Sequence, residues 1–181
     1  MSETVMTTGA VTVPQAGDYT IDQRHSSVTF TTRHLFGLGA VRGGFAIREG
    51  YIHVAADVSR STVHAVISAA SVDSGNPGRD TIVRSAGFLD TVRHPDIAFV
   101  CDHVERVEGT WVLRGSLKVC GHAEPLAVRV ESARTEGGRL VLNATSRVDR
   151  YAFGVTAAKL LAARHLTIKL AIIAEPARTE R

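Results

Sequence analysis

Apolar and polar residues alternate almost without interruption over residues 111–148. The first part of this stretch has one mainly polar parity and one mainly apolar parity, the latter formed by Trp111, Leu113, Gly115, Leu117 and Val119. This alternation predicts a β-strand with one face toward a core and the other toward water. Breaks near 121–125 and at 137–138 divide the stretch into three strands, which predicts an antiparallel meander. A helix is excluded, because residues two positions apart would lie on opposite sides of it.

The rest of the chain shows the same strand pattern with one helical interruption. Alternating segments predict strands over 26–34, 97–107 and 165–174, and less regular segments around 45–47, 52–54 and 63–69 continue the series. A short helix is predicted over 77–86, because Asn76 supplies a capping side chain, Pro77 fits the first helical position and Gly87 can end the helix. A helical turn is expected within 157–163.

These elements together indicate an all-β fold. Antiparallel strands with polar outer faces need protected edges, and closure into an up-and-down barrel removes the edges altogether. We therefore predict an eight-stranded antiparallel β-barrel with one or two short helices. The interior of a barrel of this size is either filled by side chains or holds one small or slender ligand.

Composition and the chain ends narrow the class of protein further. The 181 residues fit one domain, for which we expect a mobile tail over 1–16, a barrel over 17–176 and a C-terminal tail over 177–181. A net charge of +3 and an aromatic content of 6% do not favour a nucleic-acid-binding protein. The sequence has no apolar run long enough to span a membrane and no secretory signal at its start, so we expect a cytoplasmic protein with its two cysteines as free thiols.

No local motif indicates catalysis or metal binding. The eight histidines form no closely spaced pair, the chain lacks a Cys-x-x-Cys pair, and no Gly-x-Ser-x-Gly segment is present. We therefore expect no catalytic residue, no metal and no cofactor. His34 is unusual in lying on the apolar parity of its strand, and Arg79 and Asp80 lie at the start of the predicted helix. These three polar residues either contact a ligand at the mouth of a cavity or pair structurally.

A series of short motifs resembles the YceI-like family of polyisoprenoid-binding proteins. The chain begins the series with Tyr19-x-Ile21-Asp22-x-x-His25-Ser26-x-Val28-x-Phe30. The series continues through Gly44-Phe45, Asn76-x-x-Arg79-Asp80, Phe88-x-Asp90, Gly115-x-Leu117-x-x-Gly121 and Arg150-x-x-Phe153-Gly154. The resemblance extends over roughly residues 18–175.

This resemblance implies an extended lipocalin-like barrel, often dimeric, whose apolar tunnel holds a long isoprenoid chain. We accordingly expect a non-enzymatic homodimer that binds a polyprenyl phosphate, a quinone or a similar apolar lipid. The expected ligand-binding residues are Phe30, His34, Phe45, Arg79, Asp80, Phe99, Leu113, Leu117, Leu142 and Ile168. For the apolar members of this set, an ordinary packed core is the alternative. An enzyme that uses His34 on a small hydrophobic substrate and an interaction scaffold with a filled barrel are the alternative functions.

Overall fold

The computed structural model describes residues 11–34, 38–159 and 161–178. In this part of the chain there are ten strands: β1 (Gly17–Ile21), β2 (Ser27–His34), β3 (Gly39–Phe45), β4 (Ile47–Val54), β5 (Thr62–Ser68), β6 (Asp96–Val107), β7 (Thr110–Val119), β8 (His122–Glu136), β9 (Arg139–Asp149) and β10 (His165–Pro176). The α-helix α1 (Pro77–Arg84) lies between β5 and β6, and short 3-10 helices occupy Val58–Arg60, Ala69–Ser71 and Arg150–Phe153.

The strands form one antiparallel sheet that closes on itself. Strand β1 pairs with β4 on one side and with β10 on the other, and β5 to β9 follow between them in chain order. Strand β10 pairs with β2 along its first half and with β1 at its last residues. Strand β3 pairs with the other side of β2. Strands β1 and β2 therefore share one position in the barrel wall, and β3 and β4 share another. The ten strands thus form a wall of eight positions. The all-β barrel predicted from the alternation is confirmed.

The two ends of the barrel are built differently. One end, here called the helix end, consists of the described residues within 32–42, 69–95, 118–124 and 147–166, and it contains α1 and the turns β2–β3 and β7–β8. The other end, here called the tail end, contains residues 11–16 and the turns β6–β7 and β8–β9. At the tail end, the Thr12 backbone N–H donates to the Ala133 carbonyl at 3.1 Å. The division into tail, barrel and C-terminal tail stays a prediction, and residues 1–10 and 179–181 lie outside the described residues.

Helix α1 begins where the capping pattern predicted. The Asn76 side chain accepts a hydrogen bond from the Arg79 backbone N–H at 3.0 Å, and Pro77 occupies the first turn. The helix ends at Arg84, two residues earlier than predicted. There the Arg84 guanidinium donates to the carbonyls of Ala70 and Val72, each at 2.7 Å, which fixes the helix to the segment that leaves β5. None of the helices in the described residues is long and apolar enough to cross a membrane.

One local expectation was wrong, at the turn between β7 and β8. The break predicted over 121–125 is a two-residue turn, because Cys120 and Gly121 adopt positive φ angles of 51° and 78° and β8 begins at His122. Cys120 therefore lies in the turn itself, and its Sγ is 3.2 Å from the Leu89 carbonyl oxygen. The helical turn expected within 157–163 is present, because the Ala162 backbone N–H donates to the Ala158 carbonyl at 2.9 Å. A separate 3-10 helix at Arg150–Phe153, which was not predicted, ends at Gly154, whose φ is 75°.

Candidate functional site: an apolar cavity in the barrel

An elongated cavity of about 650 Å³ runs through the barrel. Its wall extends from Val13 and Val54 at the tail end to Ile82 and Leu161 at the helix end, and most of the side chains between them are apolar. All ten residues predicted to bind a ligand line this cavity: Phe30, His34, Phe45, Arg79, Asp80, Phe99, Leu113, Leu117, Leu142 and Ile168. The fold therefore brings the predicted set together, while their contact with a ligand stays a prediction.

The inward-facing side chains do not fill the barrel. Phe99, Leu113, Leu142 and Ile168 all line the cavity, yet each is only half-buried. In a packed core, side chains at such positions would lose almost all of their accessible surface. Part of the surface that these side chains keep faces the cavity. A completely filled interior is therefore not what this sequence forms.

Two glycines allow aromatic rings to lie against the wall. A Cβ atom added at Gly115 would lie 2.7 Å from the Phe99 ring, and one added at Gly43 would lie 2.5 Å from the Phe30 ring. Because both glycines lack this atom, each ring covers the backbone of a neighbouring strand instead of being forced toward the lumen. The small residues thus contribute to the width of the cavity.

Arg79 and Asp80 are both bonded to the same serine at the helix end. The Asp80 carboxylate is 5% exposed and accepts hydrogen bonds from the Ser74 backbone N–H at 3.0 Å and the Ser74 hydroxyl at 2.5 Å. The Arg79 guanidinium donates from Nε to the Ser74 hydroxyl oxygen at 2.9 Å and from Nη2 to the Ser74 carbonyl at 3.1 Å. Arg79 and Asp80 thus make the structural pairing that was one of their two expected roles, and they hold α1 against residues 72–76. Both residues also line the cavity.

His34 lies where the end of β2 meets β3 and the segment before β10. Its ring is half-buried and packs directly against the backbone of Gly39, and its own backbone bridges to Ala162. In the described residues, the histidines that contact a carboxylate are others: His25, His53 and His103. These pairs of the described residues do not include His34, and the enzymatic alternative stays a prediction.

Arg150 is a cavity residue that was not among the predicted site residues. Its side chain is 8% exposed and donates to four backbone carbonyls: Nε to Ala163 at 2.9 Å, Nη1 to Val155 at 2.9 Å and to Ala157 at 2.7 Å, and Nη2 to Ala162 at 2.9 Å. Burial lowers the pKa of this guanidinium from its ordinary value. The contacts hold the backbone at these four residues across the helix end. The sequence did indicate that Arg150 faces the cavity, because Arg150 continues the inward parity of Ser146 and Val148.

The cavity offers few free polar groups for chemistry. Ser146 lies in the middle of the wall, but its hydroxyl donates to the Ala127 carbonyl at 2.8 Å. Across the described residues, every buried side-chain nitrogen and oxygen has a hydrogen-bond partner. No three His, Cys, Asp or Glu side chains in the same part of the chain come together in a way that would hold a metal ion. The arrangement is that of a container for an apolar molecule.

Comparison with known proteins places this barrel in a family. A family model described as YceI-like domain matches residues 19–174, which is most of the chain. The chain belongs to the YceI-like family. A UPF0312 protein of Shewanella baltica strain OS185 is 35% identical over 121 residues, which are 65% of this chain and 63% of that protein. The chain thus matches less than two thirds of that relative's length.

Solved structures show the same fold as this YceI-like chain. BcnA of Burkholderia cenocepacia superimposes with a TM-score of 0.74 at 20% identity, over 84% of this chain and 98% of that one. A polyisoprenoid binding domain from Saccharophagus degradans, implicated in plant cell wall breakdown, superimposes with a TM-score of 0.68 at 12% identity, over 90% of this chain and 100% of that one. At these identities the likeness establishes the lipocalin-like barrel and does not identify a ligand.

Proposed function

We propose that this YceI-like barrel binds and carries one elongated apolar molecule of the isoprenoid type, such as a polyprenyl phosphate or a quinone, without transforming it. The observation that carries the proposal is the cavity of about 650 Å³, which runs through the barrel between apolar side chains that leave it unfilled. The membership in the YceI-like family and the structural likeness to a polyisoprenoid binding domain support the same class of ligand.

The size of the cavity favours a long ligand over a short one. Its volume corresponds to about twenty water molecules, and therefore to a similar number of methylene-sized groups. Each methylene transferred from water into such an environment contributes roughly 0.8 kcal/mol. Because association costs about 4–15 kcal/mol, a ligand with ten buried methylenes would bind weakly at best. A molecule that occupies most of the length of the cavity has enough apolar surface to bind tightly.

The polar residues in the wall favour one orientation of the ligand. His34, Arg79, Asp80 and Arg150 all lie at the helix end, whereas the wall between β5 and β9 is almost entirely apolar. A phosphate or quinone head group therefore fits at the helix end, with the hydrocarbon chain directed toward the tail end. The polar contacts would orient the ligand, and the apolar wall would supply the affinity.

Native mass spectrometry of protein purified without detergent tests the proposal. We expect a retained adduct that is released on denaturation and that mass spectrometry of the solvent extract identifies as a long apolar lipid. Protein that carries no adduct and takes up no polyprenol probe would contradict the proposal. Turnover of the bound molecule during incubation would contradict its non-enzymatic part.

The homodimer and the cytoplasmic location belong to the same proposal. Sedimentation velocity of the purified protein measures the first, with a single species of twice the chain mass of 19.4 kDa expected. Fractionation of cells that produce the native protein measures the second.

A further inference from the structure

Exposed apolar side chains are concentrated at the helix end of the barrel. Of the seven large hydrophobic residues exposed in the described chain, four lie there: Leu38 at 89%, Ile82 at 57%, Val92 at 91% and Leu161 at 54% exposure. They belong to four separate segments, namely the β2–β3 turn, α1, the α1–β6 connection and the segment before β10. Because protruding hydrophobic residues on separate segments do not stabilise the barrel, their shared location indicates contact with something outside it.

Two of these residues connect the outer surface with the cavity. Ile82 and Leu161 are exposed to solvent and also line the cavity at the helix end. The apolar surface is thus continuous from the interior of the barrel to the outside at this end. A molecule that enters or leaves the cavity here would meet the exposed hydrophobic residues.

The helix end is also the basic end of the molecule. Its four segments contain ten Lys or Arg and five Asp or Glu, a net charge of +5, whereas the whole chain has +3. The rest of the described chain contains ten Lys or Arg and eleven Asp or Glu, a net charge of −1. Seven of the ten basic residues are exposed: Arg33, Arg42, Arg93, Lys118, Arg147, Lys159 and Arg164. The charge is thus polarised along the barrel, with the positive end at the cavity mouth.

We propose that the helix end docks on the surface of an anionic lipid bilayer. Leu38, Ile82, Val92 and Leu161 enter the interface between head groups and acyl chains, and the basic residues face the lipid phosphates. Protruding apolar residues surrounded by Lys and Arg are the combination that binds such surfaces, through apolar burial together with electrostatic attraction. In this orientation the cavity opens toward the bilayer, where apolar lipids reside.

The charge polarity favours a bilayer over the other candidate occupants. A second copy of this chain would bring two net-positive helix ends together, which is unfavourable. Each basic residue near an anionic membrane surface strengthens partitioning by about fivefold. The proposal goes beyond the proposed function, since docking requires only the outer surface and not an occupied cavity.

Sedimentation with lipid vesicles tests the docking. The purified protein is mixed with vesicles of phosphatidylcholine and phosphatidylglycerol or of phosphatidylcholine alone, at low and high salt. We expect binding to the acidic vesicles that weakens with salt, because screening shortens the electrostatic range. The double variant Leu38→Asp/Val92→Asp should lose most of the binding. The double variant Arg93→Glu/Arg147→Glu should lose at least about 25-fold, since it removes two attractive charges and adds two repulsive ones.

Matched control variants lie elsewhere on the barrel. Val100→Asp changes a residue that is 48% exposed on the wall of β6, and Arg139→Glu reverses a charge at the tail end. Both should bind acidic vesicles as the native protein does, and circular dichroism should show all variants folded. Equal binding to both vesicle types, or equal losses in the control variants, would overturn the proposal. Binding to neither vesicle type would also overturn it, and would leave a protein partner as the occupant.

The same preparation separates this proposal from the proposed function. Native mass spectrometry reports the cavity ligand, and sedimentation reports the outer surface. A retained lipid adduct without vesicle binding overturns only the docking. Vesicle binding by protein that neither carries nor takes up an apolar ligand supports the docking and contradicts only the proposed function.

Discussion

Replacing Ala65 by phenylalanine tests whether the barrel interior is an open ligand channel. Ala65 lies on β5, where its register partners are Gly50 and Phe99, and it lines the cavity about midway along the wall. The substitution adds six carbon atoms to the lumen. If these atoms displace an equal number of ligand methylenes, the loss is about 5 kcal/mol. That loss corresponds to more than a thousandfold in affinity at about 1.4 kcal/mol per decade.

The thermal stability of the ligand-free variant provides the second measurement. In an open cavity the added ring fills space, so Ala65→Phe should leave the melting temperature unchanged or raise it. In a filled core the same substitution would cost about 1–3 kcal/mol. For a domain of this size that cost lowers the melting temperature by several degrees, at roughly 2–4 °C for each kcal/mol.

Competition with a fluorescent polyprenyl probe measures the affinity, and scanning calorimetry measures the melting temperature. The matched control is Ala171→Phe, because Ala171 is exposed on β10 and does not line the cavity. It should leave probe affinity unchanged. A variant at Ala65 that binds the probe with native affinity would refute the assignment of the cavity as the site. A variant that melts several degrees lower with no change in binding would refute the open interior.

Three further substitutions examine what holds the wall and the helix end. Gly115→Ala should lower the free energy of unfolding by about 1–3 kcal/mol in urea denaturation, because the new Cβ would collide with the Val100 carbonyl oxygen. Arg150→Lys should lower it by roughly 2–4 kcal/mol, since lysine cannot reproduce the four-carbonyl contact. The Arg164 guanidinium, which donates to the Asp149 carboxylate, lowers the pKa of that carboxyl to about 2 from 3.8. A carboxyl whose pKa is lowered in the folded state stabilises the fold above about pH 4, and this stabilisation is lost as the pH falls toward 2. The difference in melting temperature between the native protein and Asp149→Asn should therefore shrink between about pH 4 and pH 2.

Each of these predictions has a control or a contradicting result. Gly78→Ala should not destabilise, because an added Cβ there meets only the Asn76 side chain at 3.5 Å and helical alanine is favoured over glycine. Arg147→Lys is the control for Arg150→Lys, because Arg147 is exposed near the end of β9, and it should leave the free energy of unfolding unchanged. A constant difference between Asp149→Asn and the native protein from pH 5 to pH 2 would contradict the role of the Arg164 pair.

The parity of the strands predicted the barrel and most of its wall. A β-strand has a period of two, so the residues in phase with Phe30, Phe99 and Leu142 had to share one face once the strands were placed. Closure then brought those faces together around one axis. That is why the eight predicted residues on strands all line the cavity although they are far apart in sequence, whereas Arg79 and Asp80 reach it from α1.

The turns and the helix end were predicted less well, because local geometry there depends on contacts distant in sequence. Cys120 adopts a left-handed conformation that its side chain does not favour, and the turn places its Sγ against the Leu89 carbonyl of the α1–β6 connection. The Arg150 guanidinium finds its carbonyl partners 5 to 13 residues farther along the chain. Neither arrangement follows from alternation, which describes only paired strands.

Whether the barrel is hollow depends on the volumes of its inward side chains, which the alternation of apolar and polar residues does not show. An inward leucine satisfies the same pattern whether its neighbours meet it across the axis or leave a gap. In this chain the gap has identifiable causes: small inward residues such as Ala65 and Gly115 alternate with larger ones, and rings such as Phe99 lie against the wall over glycine. The lumen therefore depends on the distribution of side-chain volume around the barrel, which becomes apparent only when register partners are known. The register places Phe99 beside Ala65 on the neighbouring strand, so Ala65→Phe adds a second aromatic ring next to an existing one. This substitution should therefore narrow the channel more than the same change beside a small residue.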